Sequence, residues 1–168
     1  GHEPDPAAGH RPRLGEGLGA QEDRLAPVED TDRRIVDLLL TDGRMSFTDL
    51  AKATGLSTSA VHQRVRRLED RGVIQGYRAI VDPVAVDRSL TAFLSLTATG
   101  GIQPEGAVEA LAELPEISAC YSVAGRESFI VIVRVATPNA LEELLNEIQR
   151  RTGMSTRTTV ALSTKFDR

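Results

Sequence analysis

A single cysteine, Cys120, occurs in 168 residues. It excludes an intrachain disulfide framework and cannot furnish a cysteine-based zinc site. No apolar run approaches the roughly 20 residues that a membrane span needs, and the first residues lack the apolar stretch of a secretion signal. The expectation is a cytoplasmic protein with no membrane partner. Histidine is also scarce. His2, His10 and His62 all precede the second half of the chain, which therefore lacks the most versatile acid–base side chain. There is no Gly-rich phosphate loop, no cluster of metal-ligand spacing and no nucleophile–base triad. These absences argue against an enzyme and predict neither a metal nor a cofactor.

An excess of positive charge is missing too. The formal net charge is −4, whereas DNA-binding domains usually carry a basic surface. The deficit is uneven. Residues 1–27 hold three basic and five acidic side chains, residues 28–75 hold eight of each, and residues 76–168 hold nine and eleven. Within residues 57–71, Arg64, Arg66, Arg67 and Arg71 face only Glu69 and Asp70. Local field governs phosphate contact more than the global sum does. Otherwise the composition, 40% hydrophobic and 26% charged, is that of an ordinary soluble chain with one or two small domains.

Residues 1–27 are rich in Gly, Pro, Ala and charge, show no period, and read as a disordered tail. Residues 28–75 predict three helices. The first starts near Glu29 or Asp30, whose carboxylates suit free N–H groups, and buries Ile35, Leu38 and Leu39. The second follows Ser46, turns Leu50 and Ala51 inward and stops at Gly55. Ser57 is a good N-cap for the third, which runs from about Thr58 to Arg71 with Val61, Val65 and Leu68 on one face. Residues 73–82 read as a strand or hinge, and residues 76–87 as a hinge strand leading to a second domain, 88–168.

That domain predicts strands at about Thr91–Thr99, Ile117–Val123, Ser128–Val135 and Ser155–Ser163. Its helices fall at about Pro104–Leu114 and from Pro138, capped by Thr137, to Gly153. The βαββαβ order is the ferredoxin-like arrangement, so the fold class is α+β: a three-helix helix-turn-helix followed by a ferredoxin-like sandwich. The third strand is apolar on both faces: Phe129, Val131 and Val133 on one, Ile130 and Ile132 on the other. Helices cover one face of such a sheet. An uncovered apolar face is unusual on a monomer and predicts a homodimer of packed sheets.

Residues 46–72 have helix-turn-helix spacing: a helix with small residues, a tight Gly55 turn, then a capped basic helix. The second helix of that motif enters the major groove of double-stranded DNA. With Val61, Val65 and Leu68 buried, 100° per residue turns Ser59, His62, Gln63, Arg66 and Arg67 outward. Gln63 suits adenine and Arg66 guanine, each in bidentate fashion. Ser57 and Ser59 sit where hydroxyls and N–H groups hold a phosphate. Arg64 lies nearer the core edge, where a structural salt bridge competes with DNA contact. The plainer alternative is a helical bundle with a solvated basic face. The cap, the glycine turn and three successive amphipathic helices weigh against it.

Residues 29–35 (EDTDRRI), Asp42-Gly43-Arg44, Leu50-Ala51, Gly55-Leu56-Ser57, Arg64-Val65-Arg66-Arg67-Leu68-Glu69, Gly72-Val73-Ile74 and Gly76-Tyr77 resemble, in order and spacing, the leucine-responsive regulator/AsnC family of transcription regulators. Leu114-Pro115-Glu116, Cys120-Tyr121, Gly125 and Arg157-Thr158 are similar to its amino-acid-sensing (RAM) domain. The resemblance covers residues 28–168. It implies a sequence-specific transcriptional regulator, dimers joined through RAM sheets, assembly to tetramers or octamers, and amino-acid effectors bound between RAM domains. The alternative is an architectural DNA-binding protein without an effector. The family's turn commonly reads Gly-Asp-x-Asp; here Gly125-Arg126-Glu127-Ser128 places one carboxylate between the two usual positions.

The expected effector site is that turn: Tyr121, Ser122, Gly125, Arg126, Glu127 and Ser128, with Arg157–Thr159 as contributors. Turn N–H groups and Arg126 suit a carboxylate and Glu127 an ammonium, together a zwitterion. An ordinary hairpin turn with solvated charges is the alternative.

Overall fold

The computed structural model describes residues 27–166. The expected disordered tail therefore lies outside the described residues, apart from Pro27. The chain divides into two compact units, one ending at Ala79 and the other beginning at Ile80.

The first unit is three helices: α1 (Asp30–Thr41), α2 (Phe47–Thr54) and α3 (Thr58–Asp70). Their boundaries follow from local chemistry. The Ser46 hydroxyl accepts the Asp49 N–H and the Ser57 hydroxyl accepts the Ala60 N–H, each satisfying a donor that the helix start leaves free. Gly55 ends α2 at φ 73°, a left-handed conformation that glycine adopts without a Cβ clash. The expected carboxylate cap of α1 is not formed. Glu29 occupies the N-cap position without a side-chain cap hydrogen bond and reaches instead to Arg64. Ile35, Leu50, Ala51, Val61, Val65 and Leu68 form the core. Leu38 and Leu39, expected inward, are only partly buried against it.

Among the residues from Gln75 to Asp82 there is no strand. The expected hinge strand has no ladder partner among the described residues, and a strand is defined by such a partner.

The second unit contains β1 (Leu90–Thr97), α4 (Ala107–Ala112), β2 (Ile117–Ser122), β3 (Phe129–Val135), α5 (Pro138–Thr152) and β4 (Ser155–Val160), with a single 3₁₀ turn at Thr99–Gly101. The sheet order is β2-β3-β1-β4, every neighbouring pair antiparallel. This is the expected ferredoxin-like topology, with the two most apolar strands at its centre. The α4 helix is shorter than the sequence predicts because its N-cap, Gly106, sits at φ 74°, outside helical geometry. Thr137 caps α5 through the Ala140 N–H with Pro138 in the first turn, and Gly153 ends it at φ 66°.

Strand alternation places Ala92, Leu94 and Leu96 of β1 and Phe129, Val131, Val133 and Val135 of β3 against α4 and α5. On the opposite face, Phe93 pairs with Ile132 and Thr159, and Tyr121 with Ile130. Phe93 and Tyr121 are exposed, and Ile130 and Ile132 are half-buried. A bulge between Ile117 and Ala119 interrupts simple alternation along β2. Ile117 packs on the core, while Ala119 and Tyr121 join the outer face with their partners Ile132 and Ile130.

Leu94 is fully buried at the centre of this sheet. Leu94→Ala is expected to destabilise the second unit by about 2–5 kcal/mol. Chemical denaturation followed by far-UV circular dichroism checks this; Phe93→Ala, on the exposed face, should cost far less within one chain.

Candidate nucleic-acid interface and ligand-binding turn

The α3 helix presents four distinct sides. Val61, Val65 and Leu68 are buried. One flank faces α2, where the His62 ring lies 5.1 Å from the Phe47 ring at an interplanar angle of 52°. The other faces α1: Arg64 donates to Asp32 at 2.9 Å and to Glu29 at 3.1 Å, and Arg67 approaches Asp32 at 3.5 Å. Between the flanks, Ser59, Gln63 and Arg66 are exposed. Neither Gln63 nor Arg66 is engaged in a hydrogen bond or ion pair among the described residues.

The six residues expected at the DNA surface are thus not equivalent. Ser57 is a cap, and its hydroxyl also lies 3.3 Å from that of Ser59. His62 is exposed yet rests on Phe47. Arg67 has a half-exposed side chain with one nitrogen directed at Asp32. Gln63 and Arg66 have their donors free. Arg64 makes the structural salt bridge that its place near the core edge suggested. Its hydrogen bonds to Asp32 and Glu29 push its pKa up from the ordinary arginine value.

The residue missed by sequence reasoning is Asp32. Its side chain is 1% exposed, and leaving such a carboxylate without its cationic partners is strongly destabilising. Tyr77 supplies a second tie to α3: its hydroxyl donates to Glu69 at 2.9 Å, and burial and that hydrogen bond push its pKa up to about 12.

In the second unit, the hairpin from β2 to β3 closes through the Val123 N–H to the Ser128 carbonyl at 3.2 Å. The Ser128 N–H donates to Leu96 O at 2.8 Å, which fixes the end of the turn to β1. Glu127 is half-buried and accepts from Arg157 of β4 at 2.7 Å. The turn therefore already brings the carboxylate and the expected contributor Arg157 together. Tyr121, Ser122, Gly125 and Arg126 are exposed around it. A side chain at Gly125 would meet nothing closer than Glu127 Oε2 at 4.0 Å. A separate cleft of about 490 Å3 lies beyond the far end of β3, with Arg88, Leu114, Glu116 and Leu144 in its walls. None of the turn residues lines it.

Residues 28–75 match the family description Winged helix-turn-helix DNA-binding, and residues 91–168 match Lrp/AsnC ligand binding domain. The HTH-type transcriptional regulator LrpA of Mycobacterium tuberculosis is 47% identical over 139 residues, 83% of this chain and 93% of that protein. The leucine-responsive regulatory protein of Escherichia coli K12 is 38% identical over 122 residues, 71% of this chain and 74% of that one. A solved structure of the feast or famine regulatory protein from M. tuberculosis complexed with L-methionine superposes with a TM-score of 0.80 at 45% identity, covering 84% of this chain and 96% of that one. Among the described residues no helix is long and apolar enough to cross a membrane.

The Tyr77–Glu69 bond gives a pH signature. The raised pKa means the fold favours the neutral phenol. The bond's contribution is fully present below about 10, the unfolded tyrosine value, and is lost as pH rises towards about 12. The tyrosinate absorbance of the native protein should show one residue titrating near the upper value, and Tyr77→Phe should remove that phase.

Proposed function

The chain belongs to the Lrp/AsnC family of transcriptional regulators, and from that premise we propose that the outer row of α3 reads operator DNA while the β2–β3 turn binds an amino-acid effector. The observation that carries the first part is the free, exposed pair Gln63 and Arg66 on a helix capped by Ser57 and placed second in a helix-turn-helix. An unengaged amide and guanidinium one turn apart are suited to base edges in the major groove. Ser57 and Ser59 stand at the start of α3, where they meet backbone phosphate, with His62 and Arg67 on the flanks.

The effector reading rests on charge arrangement. Glu127 accepts hydrogen bonds from an ammonium, while Arg126, Arg157 and the turn N–H groups donate to a carboxylate. Tyr121, Ser122 and Ser128 surround them. The L-methionine complex of a relative 45% identical supports an amino acid as the ligand class. Assembly follows from the outer sheet face, where Phe93, Ile130, Ile132 and Tyr121 form an apolar surface that suits a second copy, with tetramers or octamers built on such dimers. In this reading the protein acts in the cytoplasm by occupying DNA, and it turns over no substrate.

Gln63→Ala and Arg66→Ala should each cost about 1–3 kcal/mol on the preferred site and relax its base preference. Quantitative binding to a randomised duplex pool reads both effects, and wild-type selectivity in the double variant would displace the recognition face from this row. For the second site, L-methionine titrated calorimetrically into the full chain should bind. Glu127→Gln should weaken it by about 1.5–3 kcal/mol, as expected for a charge-assisted hydrogen bond. An undiminished affinity would place the ligand elsewhere, and no heat with any amino acid would favour an architectural DNA-binding protein.

A further inference from the structure

The flank of α3 that faces α1 is not flat. Ala60, Gln63, Arg64 and Arg67 line a notch of about 230 Å3. These four recur at i, i+3, i+4 and i+7, one stripe along the helix, and Gln63 is shared with the outer row. Beneath the stripe lies the Asp32 carboxylate. Arg64 is spent there: its Nη1 is shared between Asp32 and Glu29. Arg67 differs. Only Nη2 approaches Asp32, at the long distance of 3.5 Å, and 53% of its side chain is exposed. Its charge is thus tethered at one corner and available at the rest.

Two acidic groups face this stripe, Asp32 and Glu29, and both lean on Arg64. The buried carboxylate has one oxygen, Oδ1, on Arg64 and the other, Oδ2, on Arg67. The second contact is too long to hold Arg67 by its own strength. It does limit the directions in which a long, flexible side chain points. Pre-ordering of this kind reduces the rotamer entropy lost when the guanidinium meets an anion.

We propose that this notch seats one backbone phosphate of the bound DNA, and that Asp32 is the positioning residue that presents Arg67 to it. The proposal rests on α3 being the helix that enters the DNA. It adds a non-specific, salt-sensitive contact on the flank of the row assigned to base reading. It also explains why an acidic side chain is buried directly behind a DNA-binding surface.

The test uses the full chain and random-sequence duplex DNA, with affinity measured across a salt series. Each phosphate neutralised contributes about 0.9 to the slope of log K against log salt. Arg67→Ala should lower the slope by about that amount for each helix-turn-helix unit on the DNA. Asp32→Asn, of the same shape, should lower it equally, and adding Arg67→Ala should then change nothing further. A merely structural Asp32 would lower stability and leave the slope of the folded protein alone. Should Asp32→Asn not fold, the double variant Asp32→Leu, Arg64→Leu replaces the buried pair by apolar groups, an exchange that buried pairs often tolerate, and is compared with the same variant carrying Arg67→Ala, whose slope should be no lower. A wild-type slope in Arg67→Ala, a wild-type or steeper slope in the folded Asp32 variant, or additive losses would each overturn the proposal. If DNA does not engage α3, Gln63→Ala with Arg66→Ala also retains wild-type selectivity, which marks failure of the recognition-helix reading itself.

Discussion

The Asp32 carboxylate is the constraint on which the three-helix unit turns. Its side chain is 1% exposed beside a core that, among the described residues, contains six buried apolar side chains. Removing an ionised carboxylate from water costs several kcal/mol and is offset only by well-placed cations. Arg64 at 2.9 Å is the nearer of the two present, and it comes from the middle of α3. Apolar contacts alone are non-directional and leave a short helix free to roll by small amounts. The ion pair fixes which side of α3 faces α1. With that side set, and with His62 against Phe47 on the other flank, Ser59, Gln63 and Arg66 are left facing solvent. The row proposed to meet DNA is therefore defined by what the rest of the helix is already bound to.

The second unit obeys a different rule. Period-2 alternation gives β1 and β3 a common apolar face, which α4 and α5 cover, and leaves β3 apolar on the other side as well. The half-buried Ile130 and Ile132, with exposed Phe93 and Tyr121, remain on the other. The bulge in β2 is what brings Tyr121 to that face, and the same strand runs directly into the turn holding Glu127. The uncovered apolar face and the proposed ligand turn thus lie next to one another on one β-hairpin. A ligand that rearranges the Glu127–Arg157 pair acts on β4 as well, since Arg157 pairs with Ser95 in the register of β1 and β4.

Most of this was legible because it is local. Ser57, Thr137, Gly55 and Gly153 mark helix ends through hydrogen bonds or backbone conformations that span only a few residues. The apolar run of β3, with apolar side chains on both faces, is visible within seven positions. The features that were not legible are long-range or conformational. Asp32 reads as a helix-start acid, and its partners lie 32 and 35 residues away. Glu29 was expected to cap α1 and instead serves Arg64. The β2 bulge turns on one inserted residue, Ser118, whose hydroxyl donates to Ile132 O; nothing in the composition of that strand distinguishes it. Among the site residues, the sequence placed Gln63 and Arg66 on the exposed row and could not foresee that Arg67 shares Asp32 with Arg64.

If α3 is the recognition helix, DNA covers its outer row while the exposed side of α1 stays open. Thiol alkylation in a Cys120→Ser background measures this directly, with Ser59→Cys on the row and Asp37→Cys on the exposed side of α1. Saturating duplex DNA should slow alkylation at position 59 strongly and leave position 37 at its free rate. Equal rates at position 59 with and without bound DNA, or shielding at position 37 alone, would contradict it.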